Sequence, residues 1–73
     1  MAQVFANGRV FEVSDTVIDV HCFGLRSFLC GRFRDDVAAK RGYVRERLDR
    51  RSNSPAESEA LKRVLAELQE ASA

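Results

Sequence analysis

The sequence predicts a small α+β domain. It reads as an antiparallel β-hairpin or three-stranded meander followed by a two-helix antiparallel hairpin, in the order β-β-β-α-α. Three stretches carry this reading. Asn7-Gly8, the preferred pair for a two-residue type I′ turn, separates two short runs of apolar and β-branched residues. Residues 25–51 place apolar side chains at helical spacing among many basic ones. Ser54-Pro55-Ala56-Glu57 has the order of a helix start: serine to cap, proline for the first turn, and glutamate three residues on.

The hairpin comes first. A turn at Asn7-Gly8 pairs Ala6 with Arg9, Phe5 with Val10, Val4 with Phe11, Gln3 with Glu12 and Ala2 with Val13. Side chains alternate across a strand, so Ala2, Val4, Phe11 and Val13 share one face, the expected core side. Phe5 and Val10 fall on the other face with Gln3 and Glu12, which is then half covered or part of an interface.

After Ser14-Asp15, the run Thr16 to Phe23 is β-branched, and Ile18, Val20 and Cys22 alternate with Asp19 and His21. That is the pattern of a half-buried third strand, which would make residues 1–23 a sheet. A second reading has Ser14 or Asp15 as an N-cap and begins a helix there.

Residues 25–51 form a basic amphipathic helix. Leu29, Cys30, Phe33, Val37, Val44 and Leu48 fall on one side, and nine basic residues stand against four acidic ones, a net +5. Gly31 and Gly42 return to nearly one azimuth in a continuous helix and would form a smooth strip there. The alternative breaks the helix near residues 34–36, with an aspartate capping a second helix. Asp36 with Lys40 and Glu46 with Arg50 are favourable i, i+4 pairs. The last helix, 54–71, presents Leu61, Val64, Leu65 and Leu68 as a narrow stripe, and the short connection sets it against the basic helix.

Seventy-three residues make one domain, 1–73, of marginal size. Chains this small commonly lean on a disulfide, a metal or another subunit. Cys22 and Cys30 are the only cysteines, and His21 the only histidine. Three soft ligands at no recognised spacing fall short of a zinc site, so no metal and no cofactor is expected. The two cysteines read as buried thiols, and a homo-oligomer, most simply a homodimer, as the extra support. No charged start followed by an apolar run indicates export, and no stretch is long enough to span a bilayer. A cytoplasmic setting without membrane binding is the expectation.

No catalytic constellation is present. Neighbours on a strand point apart, so His21 cannot serve Cys22, and Asp35-Asp36 diverge on a helix. No phosphate-binding glycine loop or nucleophile elbow accompanies them, and the chain reads as a non-enzyme without catalytic residues. What remains is docking. Arg34, Arg41 and Arg45 flank one side of the apolar stripe and would pair with acids on a protein partner of unknown identity; Phe5, Phe28 and Tyr43 would be its aromatic anchors. On this reading the chain is a small regulator or inhibitor. The alternative is a nucleic-acid-binding accessory or transcriptional regulator using residues 26–51, with Arg32, Lys40, Arg47, Arg50 and Arg51 on phosphates.

Overall fold

The computed structural model of the chain describes residues 1–50 and 52–71. Strand β1 spans Ala2–Ala6 and β2 spans Arg9–Val13. They pair antiparallel in the register expected from the turn, from Ala2 opposite Val13 to Ala6 opposite Arg9. Asn7 (φ 53°) and Gly8 (φ 74°) both take the positive φ that a type I′ turn requires. Val4 and Ala6 are buried, Ala2, Phe11 and Val13 pack partly against the core, and Phe5 and Val10 are exposed.

The third strand is not formed. Helix α1 runs from Asp15 to Phe33, so the sheet has two strands and Thr16 to Phe23 is helical. Ser14 precedes it in extended conformation, without a side-chain capping bond. The period of the buried residues explains the outcome. Ile18, Cys22 and Leu29 are buried and Leu25 is partly so, at steps of four, three and four, which is the core face of a helix. A strand would have buried Val20 beside Ile18, yet Val20 is exposed. Packing on that face outweighs the local strand preference of β-branched residues.

The basic stretch is broken, as the second of its two readings had it. Arg34 ends α1 at φ 52°, its N–H bonded to the Cys30 carbonyl at 3.1 Å. Asp36 caps helix α2, Val37–Asp49, by accepting the Ala39 N–H at 3.0 Å. The strip joining Gly31 to Gly42 is therefore not formed, since the two glycines belong to different helices. Neither expected i, i+4 ion pair closes: Asp36 is used as a cap, and Arg50 has left the helix in extended conformation. Asn53 secures that end, its amide donating to the carbonyls of Arg47 (2.6 Å) and Arg50 (3.2 Å).

Helix α3, Pro55–Ala71, begins where expected, with Ser54 as its N-cap. The Ser54 hydroxyl accepts the Glu57 N–H at 3.2 Å and donates to the Glu57 carboxylate at 3.1 Å. Every other element rests on α3. Ala56, Ala60, Leu61 and Val64 are buried, with Leu65 and Leu68 partly so, and α1, α2 and the hairpin pack around them. Lys62 ties α3 to the hairpin by donating to the Phe5 carbonyl at 3.1 Å. The molecule is thus a small α+β domain: a two-stranded hairpin followed by three helices. Among the described residues no helix is long and apolar enough to cross a membrane.

Candidate functional site

Starting α1 at Asp15 puts an unexpected set of side chains on its outer surface. At about 100° per residue, Val17, Val20, Gly24, Phe28 and Gly31 lie within roughly 80° of arc centred on Gly24, and Thr16, Phe23 and Ser27 widen it to about 140°. None of these residues is charged. Val17, Val20, Phe23 and Phe28 are 44%, 64%, 71% and 45% exposed. A Cβ added at Gly24 or Gly31 would meet nothing within 4 Å. A helix in contact with water ordinarily carries charged and polar groups on such a face.

One edge of this face opens into a cleft of about 290 Å³ between the three helices. His21, Leu25 and Phe28 line it from α1, Tyr43 and Arg47 from α2, and Glu57, Ala60 and Leu61 from α3. Phe28 and Tyr43 meet at 5.0 Å between ring centroids, and Phe33 lies 5.9 Å from Tyr43. Arg47 crosses the cleft. It donates to the Tyr43 hydroxyl at 3.0 Å, lies 3.6 Å from the Glu57 carboxylate and stacks 5.8 Å from the Tyr43 ring centroid. Its Nε is buried and has no hydrogen-bond partner among the described residues.

The far side of α1 is pinned to α3 by a bidentate pair. Arg26 donates to both Glu67 carboxylate oxygens, through Nε at 2.9 Å and through Nη2. The guanidinium hydrogen bonds hold the Glu67 carboxyl below its usual range, and the same bonds raise Arg26 further. Along its length α1 is polarised, with Asp15 and Asp19 toward its start and Arg26 and Arg32 toward its end.

The expected partner-binding residues do not form one site. Phe28 and Tyr43 come together, but Phe5 lines a separate cleft of about 260 Å³ with Leu48, Arg50 and Lys62. Arg34 ends α1, Arg45 is exposed on α2, and Arg41 is half-buried there. The set proposed for nucleic acid is also divided. Arg32 lies 5.5 Å over the Phe33 ring, Arg47 is engaged in the cleft, Lys40 is half-buried and Arg50 stands at the end of α2. Arg51 lies outside the described residues. Arg34, Lys40, Arg45 and Arg50 pair with no carboxylate among the described residues.

Cys22 is a core filler whose thiol points at the Ala60 carbonyl, 3.9 Å away; burial pushes that thiol up against the opposing effect of Arg26. Cys30 is exposed rather than buried, and both thiols are free. His21 borders the cleft instead of standing on a strand. Among the described residues no three His, Cys, Asp or Glu side chains converge as a metal site.

Reading Thr16 to Phe23 as a strand concealed Val17, Val20, Phe23 and Gly24 as one surface. The signal was present: those positions share a charge-free helical azimuth once the helix starts at Asp15. Comparison with protein-family models, curated proteins and solved structures gives no match.

Proposed function

We propose that the chain is a small non-catalytic interaction protein, a regulator or inhibitor that works by docking on a protein. The observation that carries this reading is the charge-free outer face of α1, with four large apolar side chains exposed over about three turns. Burying such a face against a complementary surface removes apolar area from water, which is the main driving force of protein association. The aromatic cleft beside it can take an inserted side chain. Arg34 and Arg45, which meet no carboxylate among the described residues, are then the polar rim, together with Arg41.

Arg34, Lys40, Arg45 and Arg50, which meet no carboxylate among the described residues, are also what a nucleic-acid reading would draw on. They are scattered over the end of α1 and both ends of α2, whereas phosphate binding favours one coherent basic face. Arg26 and Arg47 already pair with carboxylates of the chain itself.

Fluorescence anisotropy with labelled duplex and single-stranded oligonucleotides decides between the two. Docking on protein expects no saturable binding below about 10 μM at low salt, since non-specific phosphate binding is strongest there. Binding that falls steeply as salt is raised would replace the docking reading with the nucleic-acid one.

A further inference from the structure

We infer that the partner covering the outer face of α1 is a second copy of this chain, packed α1 against α1 in antiparallel orientation about a two-fold axis at Gly24. The inference rests on the docking reading and names its occupant.

The first argument is register. A two-fold axis at Gly24 sets each residue opposite the one whose number completes a sum of 48. Val17 then faces Gly31 of the other copy, Val20 faces Phe28, and Gly24 faces itself. Each large side chain meets either a glycine, with open space above it, or another apolar side chain. The arc is centred on Gly24, where two backbones can come closest, with Val20 and Phe28 at about 40° on either side. Small residues at the crossing point and larger ones beyond it are what two helices need to pack ridge into groove.

The second argument is charge. The acids of α1, Asp15 and Asp19, precede Gly24, and its bases, Arg26 and Arg32, follow it. Antiparallel pairing brings the acidic half of one helix beside the basic half of the other, and the helix dipoles oppose favourably. Parallel pairing would set like charges side by side. Asp19 and Arg26 themselves lie behind the contact, about 140° and 160° from Gly24, where they meet Arg63 and Glu67 of α3, so the charges act through the two halves of the helix and not as a direct pair across the axis.

The third argument is area. With about 200 Å² for a phenylalanine and three-quarters of that for a valine, the four side chains expose roughly 400 Å². The glycine, serine and threonine surface between them brings this to roughly 550 Å² per copy, or about 1,100 Å² in total, above the roughly 1,000 Å² that separates specific interfaces from incidental contacts. A 73-residue chain is of the size that gains most from such a partner.

The test is the mass of the full chain in solution, by sedimentation equilibrium from about 1 to 100 μM, a range spanning modest dimer affinities. The expected result is a species of twice the 8.2 kDa chain mass that dissociates on dilution. Gly24→Glu should weaken dimerisation at least about 100-fold while leaving the helical circular dichroism intact, because the free chain has room for the new side chain and glutamate is the better helix former. Val20→Glu, at a position already exposed, is the second variant and should act in the same direction. A wild-type chain that stays at 8.2 kDa through 100 μM, or a dimer indifferent to both substitutions, overturns the inference.

Orientation is read from the native Cys30, which is exposed and takes a nitroxide while Cys22 is buried. Antiparallel pairing separates the two labelled positions by twelve residues along the axis, about 18 Å, so an interspin distance above about 20 Å is expected. A distance under about 15 Å would place Cys30 at the contact itself and overturn the inference. Failure here is distinct from failure of the docking reading. The oligonucleotide titration interrogates the cations, and the mass measurement interrogates the outer face of α1.

Discussion

Cys22 and Cys30 lie eight residues apart on α1, which turns one about 80° away from the other around the helix. That rotation separates their chemistry. Cys22 sits in the core against Ala60, where burial disfavours the thiolate, the form that reacts. Cys30 stands in solvent. At neutral pH one thiol per chain is expected to react rapidly with a disulfide reagent such as Ellman's, and the second only at the rate of unfolding. Two fast thiols would mean that the Cys22 environment is open. Arg34 makes a different residue-scale point: its φ of 52° is a conformation glycine adopts more readily, yet the position carries an arginine that meets no carboxylate among the described residues.

At the scale of elements, α1 is the informative case because strand and helix assign opposite roles to the same residues. A strand would bury Ile18, Val20 and Cys22 together; the helix buries Ile18 and Cys22 and turns Val20 outward. Ile18→Ala is therefore expected to cost about 2–4 kcal/mol, and Val20→Ala less than about 0.5 kcal/mol in dilute solution. Urea unfolding of the two variants checks this, and equal losses would count against the helical assignment. The other helices are set by local chemistry: Asp36 starts α2, Ser54 with Glu57 starts α3, and Asn53 closes the turn between them.

For the whole molecule, α3 is the hub, and connections to it decide how stability responds to conditions. The Arg26–Glu67 pair joins α1 to α3 from opposite sides of a half-exposed contact, so it contributes about 0.2–1 kcal/mol after solvent screening. Because the fold lowers the Glu67 pKa, this contribution is complete above the ordinary carboxylate value, near 4.3, and is lost as pH falls through the lowered one. Glu67→Gln is expected to be less stable than the wild type at pH 7 and to converge with it as pH falls below the lowered Glu67 value. Denaturation midpoints across that range measure the convergence, and a gap that persists at low pH would assign the loss to packing instead. For a chain whose total stability is on the order of 4–11 kcal/mol, even such small terms shift the unfolded fraction visibly.

The amino-acid sequence alone determined the parts whose information is local. The register of β1 and β2 follows from two residues that accept positive φ, and the starts of α2 and α3 follow from short polar side chains placed to receive free N–H groups. Phe28 and Tyr43 were legible as aromatic candidates, although their 5.0 Å contact depends on a break between α1 and α2 that the spacing left open. What only the tertiary structure decided was the state of Thr16 to Phe23 and, with it, the outer face of α1. Periods of two and of 3.6 both bring Ile18 and Cys22 to one side, so these residues cannot distinguish strand from helix. The surface they pack against settles the matter: α3 offers a groove of Ala56, Ala60 and Val64 that accepts a helix, and burying Leu25 and Leu29 with them outweighs the preference of two valines and one isoleucine for a strand.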